Sequence, residues 1–280
     1  MTFDHSKVSS WVASKLQFGL GNRLFQLASA HTLSESWSIP LIFAMPYCAP
    51  SEHGDFNTIF KMFPNVQKCW SASPELAIEQ KSVFQYEPMP TMPPASKVLL
   101  KGMWAAAEYV SDSFKPSWEA VAEKDTLLKR WHLETKQQRA KTAFIHVRLG
   151  DFKILPHHQV NLLSYFWSAM QRLPEDTRFL VFSDSIEEAK AYEVFKNHDR
   201  CVFVDELDEY NTLFLMSRCQ AGAITANSTF SWWGAFFGRQ AALEEGLEYR
   251  AYMPSKWMAE GGPAESCDPI YPPWATVISV

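Results

Sequence analysis

The second half of the chain alternates short apolar runs with amphipathic segments, and this pattern constrains the fold more than any other feature. The apolar runs predict strands at TAFIHVRL (142–149), RFLVFSD (178–184), RCVFVD (200–205) and GAITAN (222–227). The segments between and after them have helical periodicity: LLSYFWSAMQRL, IEEAKAYEVFKNH, EYNTLFLMSRC and SWWGAFFGRQAA. Strands that alternate with helices of this length predict a parallel sheet with helices on both faces. Ligands of such sheets bind at the carboxyl ends of the strands.

The first half predicts a separate α/β region. A glycine turn opens an amphipathic helix from about Arg23 to Ser36, and the strand IPLIF follows. A proline-rich region leads to a strand at KVLLKGMW (97–104), and residues 117–138 predict a charged amphipathic helix. A chain of 280 residues suits two domains. We therefore expect an N-terminal lobe at 1–138 and a C-terminal lobe at 139–280.

Charge and composition argue against several partners. The net charge is −5 without a polybasic run, so we expect neither nucleic acid nor an anionic membrane surface as a partner. No apolar stretch reaches the roughly 18 residues of a membrane span. The five cysteines form no CxxC pair, which argues against a disulfide framework or a structural zinc site. We expect a soluble, cytoplasmic protein.

Polar clusters follow three of the predicted strands. The first holds His146, Arg148 and Asp151; the second is Ser183-Asp184-Ser185; the third is ANSTFS at 226–231. Arg148 offers a planar fork that can bind phosphate through two nitrogens. Asp151 either orients Arg148 or acts as a base. For the second cluster the structural alternative is a helix cap, because Ser185 and Glu188 match a capping box.

A glycine turn, Gly19-Leu-Gly21-Asn22-Arg23, precedes the first helix. Free N–H groups and the helix dipole at such a turn suit an anion such as pyrophosphate, and a tight capping turn is the structural alternative. The GxGxxG fingerprint is incomplete, which disfavours a nicotinamide enzyme. The chain has no Asp-x-Asp pair, no GxSxG elbow and no GxxxxGK[ST] loop. We therefore expect no metal ion and disfavour hydrolases and P-loop proteins.

Four ordered motifs, GLGNRLFQ, HVRLGD, FSD and TLFLMSRCQAGAITANSTFSWWGAFF, resemble those of the α-1,2-fucosyltransferases of glycosyltransferase family 11. That family typically shows GGLGNQ-F-Q, HVRRGD, FSDD and a DLYLMSxC block leading to NSSFSWW, and the likeness spans about residues 16–257. It implies an α/β, GT-B-like fold of two Rossmann-type lobes with a cleft between them. The N-terminal lobe, 1–138, which contains the glycine turn, is then expected on the acceptor side, and the C-terminal lobe, 139–280, is expected to bind the nucleotide sugar. It also implies a metal-independent, inverting transfer from a nucleotide sugar to a glycan hydroxyl, with no further cofactor.

The resemblance also implies roles for individual residues. Arg148 is expected to hold the β-phosphate and stabilise the leaving nucleoside diphosphate. The nucleoside is expected near His146, Ser183 and Asp184. The donor-binding set is completed by residues of the glycine turn, of the third cluster and of the family's DLYLM block: Gly19, Gly21, Asn22, Arg23, Thr212, Asn227, Ser228, Thr229 and Ser231.

Three departures from the family pattern concern the nucleotide. Leu149 stands in place of a second arginine, Ser185 in place of a second aspartate, and Thr212 in place of an acid. In related fucosyltransferases that acid receives the N–H edge of guanine, and a threonine hydroxyl cannot accept two such bonds. The loss predicts about 1–3 kcal/mol weaker guanine discrimination. Neighbouring acids could compensate: Asp205, Glu206, Asp208 and Glu209.

The sequence thus predicts an inverting, metal-independent glycosyltransferase, with a preference for a UDP-sugar donor such as UDP-xylose. The first alternative is a GDP-fucose-dependent α-1,2-fucosyltransferase. The second is a non-catalytic protein that binds glycans or nucleotides. The acceptor hydroxyl needs a base, and the candidates are Asp151, His158 and Asp55.

Overall fold

The computed structural model describes residues 9–50, 54–196, 198–205, 207–259, 262 and 266–280. The chain divides into two compact units, Met1–Ala120 with Asp268–Ile270, and Val121–Cys267 with Tyr271–Val280. Each unit combines helices with parallel strands. The predicted α/β class is confirmed, and the cleft between lobes stays a prediction.

Parallel strands and one long helix form the first unit. Strands β1, β5 and β4 pair in that order and β2 pairs with β3. Two isolated parallel bridges join Val12 to Leu41 and Leu16 to Cys48. Helix α1 buries its apolar residues, including Leu24 and Leu27, and begins at Leu20, slightly earlier than predicted. The elements are β1 (Trp11–Ser14), α1 (Leu20–Trp37), β2 (Ile42–Ala44), α2 (Thr58–Met62), β3 (Gln67–Cys69), β4 (Leu76–Glu79) and β5 (Lys97–Lys101).

A six-stranded parallel sheet forms the centre of the second unit, with strand order β11-β10-β9-β6-β7-β8. The elements are α3 (Lys124–Arg130), α4 (Lys136–Ala140), β6 (Thr142–Val147), α5 (Leu163–Met170), β7 (Arg178–Ser183), α6 (Ile186–Lys190), β8 (Cys201–Val204), α7 (Glu209–Arg218), β9 (Gly222–Ile224), α8 (Thr229–Glu244), β10 (Arg250–Pro254) and β11 (Ala275–Ile278). The four predicted strands are present as β6 to β9.

Strand β6 is buried along its whole length. Ile145 and Val147 pack into a core cluster with Tyr165 and Phe166 of α5. Successive side chains of a strand point to opposite faces, so Phe144 and His146 belong to the other face. A strand covered on both sides explains why TAFIHV reads as a nearly continuous apolar run.

The helix predicted over residues 117–138 is two short helices, α3 and α4. His132, between them, has a φ of 49°, which a continuous right-handed helix excludes. Thr135 and Gln138 form a capping box that starts α4, and the sequence TKQQ carried this signal.

The division between the units lies at Ala120 and Val121, earlier than the predicted 138/139. The reason is that both short helices are bonded to the second unit. Arg178 Nη1 donates to the Trp131 carbonyl at 2.7 Å, and Arg139 donates to both carboxylate oxygens of Glu245 at 2.9 and 2.8 Å.

Two further differences from the sequence predictions concern the length of one helix and the number of strands. The helix predicted at 186–198 ends at Lys190, and the chain continues as turns. Strands β10 and β11, at the end of the chain, were not predicted. Across the described ranges, no helix combines the length and apolar character that crossing a membrane requires.

Candidate active site

The loops that follow β6 and β9 leave the sheet side by side. These strands are parallel neighbours, and Ile145 pairs with Ile224. From β6 the sheet continues to β7 and β8 on one side, and from β9 to β10 and β11 on the other. Open α/β sheets bind ligands in the crevice at such a switch point. Arg148 directly follows β6 and Asn227 follows β9, so the fold brings these two predicted residues to one place.

Two carboxylates hold the Arg148 guanidinium. Nη2 lies 2.6 Å from Oδ1 of Asp151, and Nη1 lies 3.1 Å from Oδ2 of Asp184. The other oxygen of Asp184 accepts a hydrogen bond from the Leu149 N–H at 2.8 Å. The Arg148 side chain is 24% exposed and each acid is 25% exposed. The guanidinium therefore has a defined direction and remains accessible to an anion.

Gly150 is needed for this arrangement. A Cβ atom at position 150 would lie 2.4 Å from Oδ2 of Asp184, which is closer than van der Waals contact permits. Any side chain there would push Asp184 away from Arg148 and from the Leu149 N–H. The glycine of HVRLGD thus permits the close approach of the two loops.

The loop after β6 also carries His158, whose ring stacks on Phe152. Their centroids are 4.3 Å apart and their planes differ by 8°. The Arg148 guanidinium lies 5.5 Å from the centre of the same Phe152 ring. Burial lowers the pKa of His158 below its ordinary 6.5; His157 and Arg148 lower the pKa further, whereas Asp151 raises it. At pH 7 the imidazole is therefore neutral. Its Nδ1 is buried and has no hydrogen-bond partner among the described residues.

Asn227 is hydrogen-bonded to two other loops, those that contain His158 and Trp257. Its Nδ2 donates to the carbonyl of His158 at 3.2 Å and to that of Trp257 at 3.0 Å. The side chain is 3% exposed. Because the amide hydrogens are bonded to backbone carbonyls, Asn227 positions His158, and its predicted contact with the donor stays a prediction.

The N-terminus of α8 follows Asn227. Ser228 is the N-cap residue and its side chain makes no capping hydrogen bond; Thr229 is the first helical residue. Ser231 is fully buried, and its hydroxyl donates to the Ser228 carbonyl at 3.2 Å. The positive end of the helix dipole at Ser228 and Thr229 favours an anion. The hydrogen bond from Ser231 to Ser228 instead stabilises the turn that begins α8.

His146 and Ser183 lie inward of Arg148 and Asp184. His146 is 4% exposed, and burial lowers its pKa to about 4 although Asp184 raises it. Its ring is 5.8 Å from that of Phe230. The Ser183 hydroxyl accepts the N–H of Ser185 at 3.0 Å. The capping box predicted for Ser185 is not formed, because the Ser185 side chain makes no capping bond.

A cavity of about 500 Å³ opens beside Arg148. Its polar lining consists of Arg148, Lys153, His158, Gln159, Asn161 and Asn227. The apolar lining consists of Val147, Leu149, Phe152, Val160, Leu162, Leu163, Phe166 and Tyr192. Sequence reasoning missed this wall because apolar loop residues look the same whether they fill a core or line a cavity. Of these residues only Leu149 carried a signal, as a departure from the family pattern.

In the first unit, the glycine turn caps α1. Gly19 is the N-cap residue, and the N–H of Asn22 donates to its carbonyl at 3.1 Å. No atom lies within 4 Å of the position that a Gly19 Cβ would take. Phe18 has a φ of 67°, which is unusual for a bulky residue, and its side chain is 38% exposed. Gly21 lies in the first turn of α1. The turn provides the predicted helix N-terminus.

Arg23 has a structural role that the sequence did not indicate. It is 2% exposed, and Nε donates to the Phe18 carbonyl at 2.7 Å while Nη2 donates to the Ala49 carbonyl at 2.9 Å. Its guanidinium also lies 5.1 Å from the centre of the Phe56 ring. Arg23 was predicted to bind the donor; in the structure its guanidinium supports the loops around the glycine turn.

Asp55 lies in the first unit and has the properties of a poor base. Its Oδ1 accepts the N–H of Asn57 at 2.9 Å, and its Oδ2 pairs with Lys61 at 2.9 Å. The backbone hydrogen bond from Asn57, followed by Lys61, lowers the pKa of this carboxyl. A carboxylate stabilised in this way takes up a proton less readily than His158 does.

Thr212 lies in the first turn of α7. Its hydroxyl donates to the Asp208 carbonyl at 2.7 Å, and the Asp208 carboxylate caps the helix through the Asn211 N–H at 2.7 Å. Asp205 pairs with Arg130 at 3.2 Å. Glu209 is in the first turn of the helix, and Glu206 lies outside the described residues. Asp205 and Asp208 therefore have structural partners of their own, and position 212 lacks the carboxylate of the family pattern.

The described part of the chain contains no group of three or more His, Cys, Asp or Glu side chains arranged to hold a metal ion. Metal independence and the absence of a cofactor stay predictions from the sequence.

Comparisons with known proteins agree with the motifs. The sequence model of "Glycosyl transferase family 11" matches residues 89–244. An α-1,2-colitosyltransferase of Escherichia coli is 27% identical over 254 residues, which cover 81% of this chain and 87% of that protein. The O-antigen biosynthesis glycosyltransferase WbnK of Escherichia coli is 33% identical over 133 residues, covering 44% of this chain and 41% of that protein. The crystal structure of the fucosyltransferase NodZ from Bradyrhizobium matches with a TM-score of 0.47 and 14% identity, covering 80% of this chain and 92% of that one.

Proposed function

Because the chain belongs to glycosyl transferase family 11, we propose that it transfers a 6-deoxyhexose from a guanosine diphosphate donor to a glycan hydroxyl, in α-1,2 linkage. The motifs resemble those of α-1,2-fucosyltransferases. A relative that spans 81% of the chain is named an α-1,2-colitosyltransferase. Fucose and colitose are both 6-deoxyhexoses, which supports a donor of this class.

The preference for a UDP-sugar such as UDP-xylose has no support in these comparisons. The family match and the named relatives favour the GDP-sugar alternative instead. They also favour an enzyme over a non-catalytic binding protein, since both relatives are named as transferases. The UDP-sugar inference relied on the departures at Leu149, Ser185 and Thr212. We infer that these residues affect how strongly guanine is recognised and which sugar is held.

The observation that carries the proposal is the Arg148 guanidinium, held between Asp151 and Asp184 at the switch point of the sheet. A diphosphate oxygen can take the place of one carboxylate on the planar fork and accept a charge-assisted hydrogen bond from the guanidinium. As the bond between the sugar C1 and the phosphate oxygen breaks, negative charge develops on that oxygen. A guanidinium already held in position stabilises this charge without reorganising.

We assign the base to His158. It lines the same cavity as Arg148, and burial lowers the pKa of its imidazole, which is therefore neutral at pH 7. In an inverting transfer the acceptor oxygen bonds to C1, its proton passes to the imidazole, and the electron pair of the C1–O bond leaves with the diphosphate. Of the other candidates, Asp151 is paired with Arg148 and Asp55 with Lys61.

Calorimetric titration with GDP and with UDP tests the donor. We expect tighter binding of GDP, and loss of GDP binding in Arg148→Ala. Thr212→Asp restores a carboxylate that can accept two guanine N–H bonds, and we expect it to raise the preference for GDP about tenfold. A parent protein that binds UDP as tightly as GDP would contradict the proposed donor.

A further inference from the structure

The cavity beside Arg148 is lined by two chemically different sets of side chains. The polar side chains are those of Arg148, Lys153, His158, Gln159, Asn161 and Asn227. On the apolar side, Leu149, Val160 and Tyr192 are partly buried and pack against the core of the second unit. The apolar lining is thus an extension of the core beneath it. The volume of about 500 Å³ is within the range of pockets that hold small molecules, about 300–1,000 Å³.

A sugar held in this cavity satisfies the geometry of the reaction. In a nucleotide sugar, C1 is joined to the β-phosphate through a single oxygen atom. If Arg148 binds that phosphate, the sugar ring must lie within a few bond lengths of the guanidinium. The base must also reach an acceptor oxygen next to C1, and His158 lines the same cavity as Arg148.

Leu149 lies where the polar and the apolar lining of the cavity meet. Its N–H donates to Asp184, which holds Arg148, while its side chain packs with the core cluster and lines the cavity. The side chain has no hydrogen-bonding group, unlike the arginine expected from the family pattern. A hydroxyl placed against it would lose its bonds to water without replacement, whereas a methyl or methylene group would gain from burial.

We propose, on the basis of the function proposed above, that this cavity holds the transferred sugar and that Leu149 selects sugars lacking hydroxyl groups on the carbons that face it. Leu149 is then a specificity-determining residue for deoxyhexoses. An apolar wall rejects an added hydroxyl about tenfold to a hundredfold. The discrimination should appear in kcat/KM for competing donors.

Three donors test the proposal because they share one configuration and differ only in hydroxyl groups: GDP-L-galactose, GDP-L-fucose, which lacks the C6 hydroxyl, and GDP-L-colitose, which lacks those at C3 and C6. The parent should use at least one deoxy donor about tenfold to a hundredfold better than GDP-L-galactose. Leu149→Asn provides a polar partner and should reduce that ratio about tenfold. Leu149→Met keeps the wall apolar and should keep the ratio.

Ratios between donors do not depend on the fraction of folded enzyme, so a destabilised variant remains informative. Leu243→Asn, at a 53% exposed leucine near the end of α8, is the matched control and should change neither ratio nor rate. Equal kcat/KM for the three donors in the parent, or an unchanged ratio in Leu149→Asn, would overturn the role of Leu149. If turnover still requires Arg148, the proposed function survives that result. If the parent uses none of the three donors, the proposed function itself fails.

Discussion

Arg23 in the first unit and Arg148 in the second were both expected to bind the donor, and the structure gives them different surroundings. Arg23 is 2% exposed and donates to the carbonyls of Phe18 and Ala49. Arg148 has a 24% exposed side chain and pairs with the carboxylates of Asp151 and Asp184.

The partners explain why one arginine is a support and the other a ligand candidate. Backbone carbonyls are fixed parts of their loops, so a buried guanidinium bonded to them holds those loops in place. A carboxylate on a loop is an anion, and another anion of suitable shape can take its place on an accessible guanidinium. The identity of the partner atoms therefore distinguishes the two roles better than proximity to glycine does.

The largest expected effect is at Arg148. Arg148→Ala should lower kcat/KM for the donor about 10³-fold, because the developing charge on the leaving phosphate loses its counter-charge. Arg148→Lys keeps a charge without the planar fork and should be intermediate. Steady-state kinetics with GDP-fucose measure this, with circular dichroism to confirm the fold. Parent-like turnover in the alanine variant would remove Arg148 from the phosphate site.

His158→Gln tests whether the loop of Arg148 also carries the base. We expect kcat to fall about 10²-fold or more, with donor affinity retained. Since the base must be unprotonated and burial lowers the pKa of His158, kcat of the parent should fall only as the pH drops below 6.5. That acid limb should be absent from the pH profile of the glutamine variant. An identical profile in both proteins would point to another base.

Arg23→Met tests the supporting role in the first unit. Methionine keeps much of the volume but leaves the Phe18 and Ala49 carbonyls without their donors. We expect a loss of about 2–4 kcal/mol in the free energy of unfolding, measured by chemical denaturation. Donor affinity per folded molecule should be retained. A variant of unchanged stability that no longer binds donor would reverse the comparison between the two arginines.

The smallest expected effects come from paired glycine substitutions. Gly150→Ala displaces Asp184 from Arg148 and from the Leu149 N–H, and should raise the donor KM about tenfold, near the value of a lost charged hydrogen bond. Gly19→Ala meets no atom within 4 Å, so it should cost less than about 1 kcal/mol of stability and leave KM nearly unchanged. An equal rise in KM for both variants would show that the donor also approaches the glycine turn.

Local patterns predicted much of the fold. The apolar runs predicted β6 to β9, helical periodicity predicted α1, α5, α7 and α8, and together they placed Arg148 and Asp184 at strand ends. The pairing of Asp151 with Arg148 was one of two readings, and both residues lie within a single turn of chain. These features depend on residues a few positions apart, so they can be predicted from local sequence patterns.

Folding decided the features that depend on distant partners. The buried role of Arg23 depends on the carbonyl of Ala49. The placement of Arg148 depends on Asp184, which lies 35 positions after Leu149 in the chain. His158 ranks above Asp55 as a base because His158 is buried, whereas Asp55 is paired with Lys61. The apolar wall at Leu149 arises where α5 and Tyr192 meet the loop. Residue type and spacing record which groups are present, whereas burial and long-range contacts set their charge, accessibility and partners, and these exist only in the folded chain.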